Sequence, residues 1–133
     1  MVFGQFVGEL NKIGNTINLL SDVPLRTTAA MIARAACVVT LDTGILYVAQ
    51  GLRIPAVSLW GTHAPQTRLM YDKAYLDLAI WNQKACPSAP CFAYACFPAH
   101  KCLRGGLQHI CEPLSAIKPS DIIAKVTEAE GRR

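Results

Sequence analysis

The sequence predicts an α/β fold, a Rossmann-like parallel sheet with flanking helices. Short apolar runs recur along the first half of the chain. The segments between these runs place apolar residues three or four positions apart, which is helical spacing. The runs are continuous instead of alternating, as in parallel strands that are covered on both faces. Because the connections are short, right-handed crossovers between the strands are expected.

Length and composition indicate a single domain over residues 1–133 with a core of its own. Of the 133 residues, 52% are hydrophobic, and the formal net charge is +4. The basic residues are scattered, which suits an anionic ligand but argues against nucleic acid as a partner. No apolar run approaches the roughly 18 residues that span a bilayer. The amino end lacks the pattern of a signal peptide, so a cytoplasmic location is expected.

The predicted elements alternate between helix and strand. Helices are predicted over residues 2–13, 25–36 and 44–50, and strands over residues 16–20, 37–41 and 55–60. Gly51 is the predicted C-cap of the helix before it. Residues 75–81 have enough apolar content for one more strand, and residues 82–112 form a loop rich in cysteine and proline. Pro119 opens a closing helix over about residues 119–130, whose predicted buried side carries Ile122, Ile123 and Val126.

The candidate site lies where the apolar run 38–41 stops at Asp42-Thr43-Gly44 and a helix begins. Asp42 or Thr43 can cap this helix, and Gly44 leaves room for a ligand close to the backbone. The first free N–H groups of the helix point outward with the positive end of its dipole, an arrangement that binds phosphate. A capped turn without a ligand is the alternative. Ligands of such sheets bind outside the carboxyl ends of the strands, where the loops 21–25, 42–44 and 61–65 fall.

The cysteines suggest a second kind of site. Of six cysteines, Cys37 lies in a predicted strand and is read as a small core residue. The loop contains Cys86, Cys91, Cys96, Cys102 and Cys111. The first four of these thiolates could complete a structural zinc or iron site. No Cys-x2-Cys pair is present, so reduced thiols or facultative disulfides are the alternative. Three aromatic residues are expected to pack the loop onto the domain: Phe92, Tyr94 and Phe97.

Together these segments resemble a known family. The runs 17–20, 25–35, 38–44 and 54–62 are similar to the C-terminal half of glycosyltransferase family 9, the ADP-heptose:lipopolysaccharide heptosyltransferases and their relatives. The order of Cys86, Pro90-Cys91, Cys96 and Cys102 before the closing helix strengthens the resemblance. It covers nearly the whole chain from residue 16 onward.

The resemblance implies the donor-binding domain of a two-domain GT-B enzyme. Such an enzyme transfers a sugar with inversion, here heptose from ADP-heptose, to lipopolysaccharide or another cell-surface acceptor at the inner face of the bacterial inner membrane. No cofactor is expected for the chemistry. By resemblance, Asp42, Thr43 and Gly44 contact the donor phosphates and sugar. The remaining implied donor contacts are Val23 and Leu25 beside the adenine, and Gly61, Thr62 and His63 beside the cleft. A solvated loop histidine is the alternative for His63.

The sequence also departs from the family pattern. Tyr47 stands where histidine is common; a phenol can donate a hydrogen bond to phosphate but carries no positive charge at neutral pH. Ser21-Asp22-Val23 replaces a turn that usually carries a cation. The N-terminal acceptor domain with the general base is expected to be absent, so the catalytic residues are unknown. This half alone is expected to bind nucleotide weakly and to catalyse nothing.

Two arrangements could complete the protein: a separate N-terminal half, or self-association through the exposed cleft face. The sequence leaves three alternative functions. The first is a non-catalytic Cys-rich metal-binding module on the same scaffold. The second is a truncated, inactive transferase fragment. A dinucleotide-dependent oxidoreductase is disfavoured because no Gly-x-Gly-x-x-Gly follows any predicted strand.

Overall fold

The computed structural model describes residues 14–15, 23–91 and 111–132. The chain divides into two units, residues 1–31 and residues 32–133. The described part of the first unit comprises the turn at Gly14-Asn15, the residues 23–24 and most of the helix α1, Leu25–Ile32. The predicted helix over 2–13 and the predicted strand over 16–20 lie outside the described residues.

The second unit contains the sheet and the remaining described helices. In chain order these elements are β1 (Val38–Leu41), α2 (Gly44–Gly51), β2 (Ala56–Trp60), α3 (Gln66–Leu69), α4 (Lys73–Asp77), β3 (Ala79–Trp81), a short 3₁₀ helix (Gln83–Ala85), α5 (Glu112–Ser115) and α6 (Pro119–Glu130). The three strands form one sheet in the order β1-β2-β3, and both pairs are parallel. The predicted α/β, Rossmann-like class is therefore confirmed.

Two apolar layers cover the sheet, one on each face. Successive residues of β2 point to opposite faces of the sheet. Ala56 and Trp60 join one core cluster with Leu46 and Ala49 of α2. Val57 joins the other cluster with Ala129 of α6. β2 is the central strand of the three and is covered on both sides, so it is the most buried of the described elements. This burial fixes the position of the loop that follows its carboxyl end.

One buried polar pair sits inside this core. Ser58 and Trp60 are both fully buried, and Trp60 Nε1 donates a hydrogen bond of 2.7 Å to Ser58 Oγ. The two side chains lie on the same face of β2 because they are two residues apart. The hydroxyl thus satisfies the indole N–H at a position that water does not reach.

The predicted strand over residues 75–81 is wrong in its first half. Residues 73–77 form α4, and only Ala79–Trp81 pair in the sheet. Tyr75 is buried on α4, and its hydroxyl donates to the carbonyl oxygens of Ile54 at 2.8 Å and Ala49 at 3.2 Å. Ala49 lies near the C-terminal end of α2, and Ile54 lies in the loop after it. Because both acceptors are more than twenty residues away in sequence, the apolar content of residues 73–77 could not predict α4.

Other predicted helix boundaries differ from the observed ones by a few residues. Helix α1 ends at Ile32, earlier than predicted. Helix α2 includes Gly51, and its C-cap is Leu52 instead. Arg53 follows in the left-handed region with φ 57°, a conformation that favours glycine. The closing helix is confirmed as α6, but Ile123 is 66% exposed, since the buried stripe runs through positions 122, 126 and 129.

Candidate functional site

A cavity of about 360 Å³ opens at the carboxyl ends of β1 and β2. Its wall combines the ends of two strands, the loops that follow them and the start of α5. The lining residues are Leu41, Asp42, Thr43, Leu59, Trp60, Gly61, Thr62, His63, Cys111 and Leu114. Two of the three loops predicted to border a ligand therefore meet at one cavity. This follows from the parallel register, which aligns Leu41 with Leu59.

The first loop is a tight turn between β1 and α2. The Thr43 N–H donates back to Leu41 O at 2.8 Å, and Thr43 is the N-cap residue of α2. Its side chain makes no capping hydrogen bond; Thr43 Oγ1 lies 3.2 Å from Thr40 Oγ1 instead. Thr43 therefore occupies the predicted N-cap position, but the capping hydrogen bond from a side chain is not formed. The N–H groups of Gly44 and Ile45 have no acceptor within the described part of the chain.

Gly44 is next to the cavity, on the first turn of α2, although it is not part of the cavity wall. A Cβ added at this position would have no heavy atom within 4 Å. Protein packing therefore does not require glycine here. The open space lies beside the two unsatisfied N–H groups, so a ligand that extends from the cavity could approach the backbone closely.

Asp42 and Tyr47 are joined across the first turn of α2. Tyr47 Oη donates a hydrogen bond of 2.8 Å to Asp42 Oδ1. Partial burial raises the pKa of Tyr47 above its ordinary value, and the Asp42 carboxylate raises it further. The phenol is consequently a neutral donor over the whole physiological pH range. It holds one oxygen of a carboxylate that lines the cavity.

A cation that sequence reasoning missed lies close to this pair. The charge of Arg68 acts on Tyr47 in the direction that lowers its pKa, although burial and Asp42 outweigh it. Arg68 occupies the last turn of α3, which starts soon after the loop 61–65. The local sequence does not identify Arg68 as a site residue, because only the folding of α3 onto the rest of the domain brings this side chain near Tyr47.

The second loop is fixed by packing and hydrogen bonds. Trp81 Nε1 donates to Gly61 O at 3.1 Å, and the Cys91 N–H donates to Thr62 O at 2.8 Å. A Cβ at Gly61 would lie 3.0 Å from Cys111 Sγ, so any larger residue here would force the Cys111 side chain to shift. Thr62 Oγ1 and His63 Nδ1 are 2.8 Å apart and share a hydrogen bond.

Two predicted contacts lie in the other unit of the chain, where the structure does not test them. Val23 and Leu25 belong to the first unit, and Leu25 is 71% exposed. Their place beside an adenine ring stays a prediction. Sequence reasoning assigned neither Cys111 nor Leu114 to the ligand site, and both line the cavity. Only their packing against Gly61 could have identified them.

The metal prediction is not decided by the structure. Cys86 is buried, and Cys37, Cys91 and Cys111 are partly buried. Burial raises the pKa of Cys37, in keeping with a core residue. Within residues 14–15, 23–91 and 111–132, no group of three or more His, Cys, Asp or Glu side chains could hold a metal ion. Cys96 and Cys102 lie outside these residues, as do Phe92, Tyr94 and Phe97, so the four-thiolate site stays a prediction.

The family model of glycosyltransferase family 9 (heptosyltransferase) matches residues 5–100. No curated protein and no solved structure gives a significant match. Among the described helices, none is both long and apolar enough to cross a membrane.

Proposed function

Because the chain belongs to glycosyltransferase family 9, we propose that the cavity at the carboxyl ends of β1 and β2 binds the nucleotide-diphosphate sugar of a sugar transfer. The donor proposed is ADP-heptose, and the acceptor is lipopolysaccharide or another cell-surface glycan. The transfer would take place at the cytoplasmic face of the bacterial inner membrane. The observation that carries the proposal is the unsatisfied N–H pair of Gly44 and Ile45 beside that cavity.

The N–H pair suits the diphosphate of such a donor. Amides at a helix N-terminus donate hydrogen bonds to anions, and the helix dipole adds roughly 0.3–1 kcal/mol of favourable interaction with a negative charge. Helix α2 starts at Gly44, where no side chain blocks the approach. Arg68 would add a positive charge from the neighbouring helix. Together these groups supply part of the charge compensation that a cationic turn gives in relatives.

The carboxylate of Asp42 has a different task. A carboxylate repels phosphate, so we assign Asp42 to the sugar, whose hydroxyl groups can donate hydrogen bonds to it. Tyr47 occupies Oδ1 of Asp42, and Oδ2 is left to accept a hydrogen bond from a sugar hydroxyl. In this arrangement the amides hold the diphosphate and Asp42 holds the sugar.

Size supports a partial donor site. Ligand pockets range over roughly 300–1,000 Å³, and this cavity of about 360 Å³ is near the lower limit. It accommodates the diphosphate and the sugar, while the nucleoside extends past Gly44. In the transfer, an acceptor oxygen bonds to the anomeric carbon as the bond to the diphosphate oxygen breaks. The residues of this chain would stabilise the charge that develops on that leaving group.

Calorimetric titration with a panel of nucleotides tests the proposal. ADP, UDP, GDP, NAD and an ADP-sugar are titrated into the same preparation, and thermal unfolding is followed in parallel. A ligand at a hundred times its Kd should stabilise the fold by about 2.7 kcal/mol. Binding by ADP and more tightly by the ADP-sugar is expected. Preference for UDP or GDP would contradict the proposed donor, and no binding by any of them would overturn the donor site itself.

A further inference from the structure

A second cavity, of about 400 Å³, lies at the opposite end of β2. Its wall combines the last turn of α2, the residues that lead into β2, the start of α4 and the chain after α6. Pro55 lines this cavity and Gly61 lines the first one. At about 3.3 Å per residue along the strand, the two positions are roughly 20 Å apart. The second cavity is therefore a separate place on the second unit, outside the proposed donor site.

The buried part of this cavity is apolar. Tyr75 is 8% and Leu78 2% exposed, and the Tyr75 hydroxyl is already engaged, because it donates to two backbone carbonyl oxygens. Tyr75 therefore offers its ring to a ligand. Small-molecule sites combine such an apolar surface with a few polar groups that fix the orientation of the ligand. The polar side chains that line this cavity are Gln50, Arg53, Asp72 and Arg132.

Two of these polar side chains carry opposite charges that are not paired. Arg132 is held in place, since its Nη1 donates to Ala74 O at 3.1 Å and its Nη2 pairs with Glu128. The ion pairs within the described part of the chain include neither Arg53 nor Asp72. Asp72 is the N-cap residue of α4, but its side chain makes no capping hydrogen bond. A guanidinium and a carboxylate thus line one cavity without forming an ion pair with each other.

Arg53 also occupies an unfavourable backbone position. It follows the C-cap of α2 with φ 57°, in the left-handed region, where glycine is the usual residue after a helix. Backbone geometry alone would favour glycine at this position, so it does not account for the arginine. Residues held in such conformations are concentrated at sites that bind ligands.

We propose that the second cavity binds a small zwitterion with an apolar body, the chemistry of a free amino acid. The planar fork of the Arg53 guanidinium donates two parallel hydrogen bonds to the ligand carboxylate. The Asp72 carboxylate accepts from the ligand ammonium group, whose three N–H groups are all donors. The apolar side chain of the ligand packs against Tyr75 and Leu78. One ligand thereby pairs both charges, which Arg53 and Asp72 do not do for each other.

The charges disfavour a phosphate compound in the same place. Asp72 repels phosphate, and Arg132, the other cation of the cavity, is already paired with Glu128. A ligand whose own two charges cancel matches the remaining pair better. The second cavity is therefore not expected to take the nucleotide proposed for the first, and binding there does not depend on the donor site.

Calorimetric titration of the chain with apolar amino acids tests the site. L-Leucine is the principal probe, and isocaproate and isopentylamine are its matched counterparts without the ammonium or the carboxylate group. Leucine is expected to bind at millimolar concentration. Each counterpart should bind at least about tenfold more weakly, because it leaves one charged group of the cavity without a partner. Absence of binding by every apolar amino acid overturns the proposal, and so does equal binding of leucine and either counterpart.

Two variants locate the binding. Arg53→Ala and Asp72→Asn should each weaken leucine binding at least about tenfold, because each removes a charged hydrogen-bonding partner of the ligand. Arg34→Ala is the matched control, since Arg34 is exposed and lies outside the cavity; it should bind leucine like the wild type. Wild-type affinity in either cavity variant overturns the proposal.

Amide NMR spectra of the wild-type chain keep the test independent of how these variants fold. Leucine should shift the amide signals of Arg53 and Asp72 and leave those of Gly44 and Ile45 in place. Shifts confined to Gly44 and Ile45 would place leucine in the first cavity and would overturn the proposal. ADP should give the opposite pattern if the donor site is correct, so failure of one proposal is distinguishable from failure of the other.

Discussion

Tyr47 Oη donates a hydrogen bond of 2.8 Å to Asp42 Oδ1, and this bond ties the first turn of α2 to the last residue before the N-cap. The bond fixes the orientation of a carboxylate at the wall of the cavity. Tyr47 stands where histidine is common in the family, and its hydroxyl is engaged in this bond. The neutral phenol therefore acts on the carboxylate, and in the proposed donor site the phosphates would be left to the backbone amides.

Replacing this phenol tests its role toward the sugar. We expect Tyr47→Phe to leave ADP binding unchanged but to weaken ADP-sugar binding by up to about tenfold, because losing a hydrogen bond costs about 0.5–1.5 kcal/mol. Calorimetric titration with both ligands measures the difference. Tyr71→Phe is the control, since Tyr71 is 95% exposed. An equal loss of affinity for ADP and the ADP-sugar would show that Tyr47 does not act through the sugar.

The pH dependence of Tyr47 has a defined sign. Burial and Asp42 raise the pKa of Tyr47 in the folded chain above the ordinary value of 10.0. The folded state thus holds this proton more tightly than the unfolded state does. The stability from the pair is fully present below the unfolded pKa, near 10, and is lost as pH rises through the folded pKa.

Absorbance titration of the phenols measures this shift. In Asp42→Asn the pKa of Tyr47 should fall toward its ordinary value, because the carboxylate no longer opposes ionisation. The Tyr47 phenol should titrate at lower pH in the variant than in the wild type, whereas Tyr75, whose pKa is raised mainly by burial, should titrate alike in both. Identical titration curves for the two proteins would contradict the effect of Asp42.

The buried pair in β2 provides a stability prediction. Ser58→Ala should lower the free energy of unfolding by about 1–3 kcal/mol, because it leaves the buried Trp60 Nε1 without its acceptor. Urea denaturation followed by tryptophan fluorescence measures this loss. Ser120→Ala serves for comparison, since Ser120 is exposed on α6. A change in Ser58→Ala no larger than in Ser120→Ala would mean that another group satisfies the indole.

Arg68 is expected to contribute to nucleotide affinity. Arg68→Ala should weaken ADP binding several-fold, and the effect should shrink at high ionic strength because exposed charges are screened by salt. Arg53→Ala is the matched control, because Arg53 lies just before β2, at the opposite end of the sheet from the cavity. Equal losses in the two variants would indicate a general effect of net charge.

Parallel pairing explains why much of this architecture could be predicted from the sequence. The apolar runs at β1 and β2 and the glycine-containing turns after them were sufficient to place Asp42, Thr43, Gly61, Thr62 and His63 near one edge of the sheet. In a parallel sheet, the carboxyl ends of neighbouring strands lie side by side whatever the details of packing. The class of the fold and the place of the site follow from that rule.

Contacts between distant segments explain what was not predicted. Tyr75 reads locally as part of a strand, but its hydroxyl finds acceptors at Ala49 and Ile54. Cys111 approaches Gly61 across fifty positions of sequence. The left-handed residue after α2 is Arg53 and not a glycine. In each case tertiary packing outweighs the local preference of the residue.

The central claim is that the amides at the start of α2 bind the donor diphosphate, and a pair of glycine variants tests it most directly. Gly44 and Gly51 are the two ends of α2, and a Cβ at either would meet no heavy atom within 4 Å. Both alanine variants should therefore fold. Calorimetric titration with ADP is expected to show at least a tenfold loss of affinity in Gly44→Ala, where the methyl group obstructs the ligand, and wild-type affinity in Gly51→Ala. Equal affinity in both variants would contradict binding at these amides.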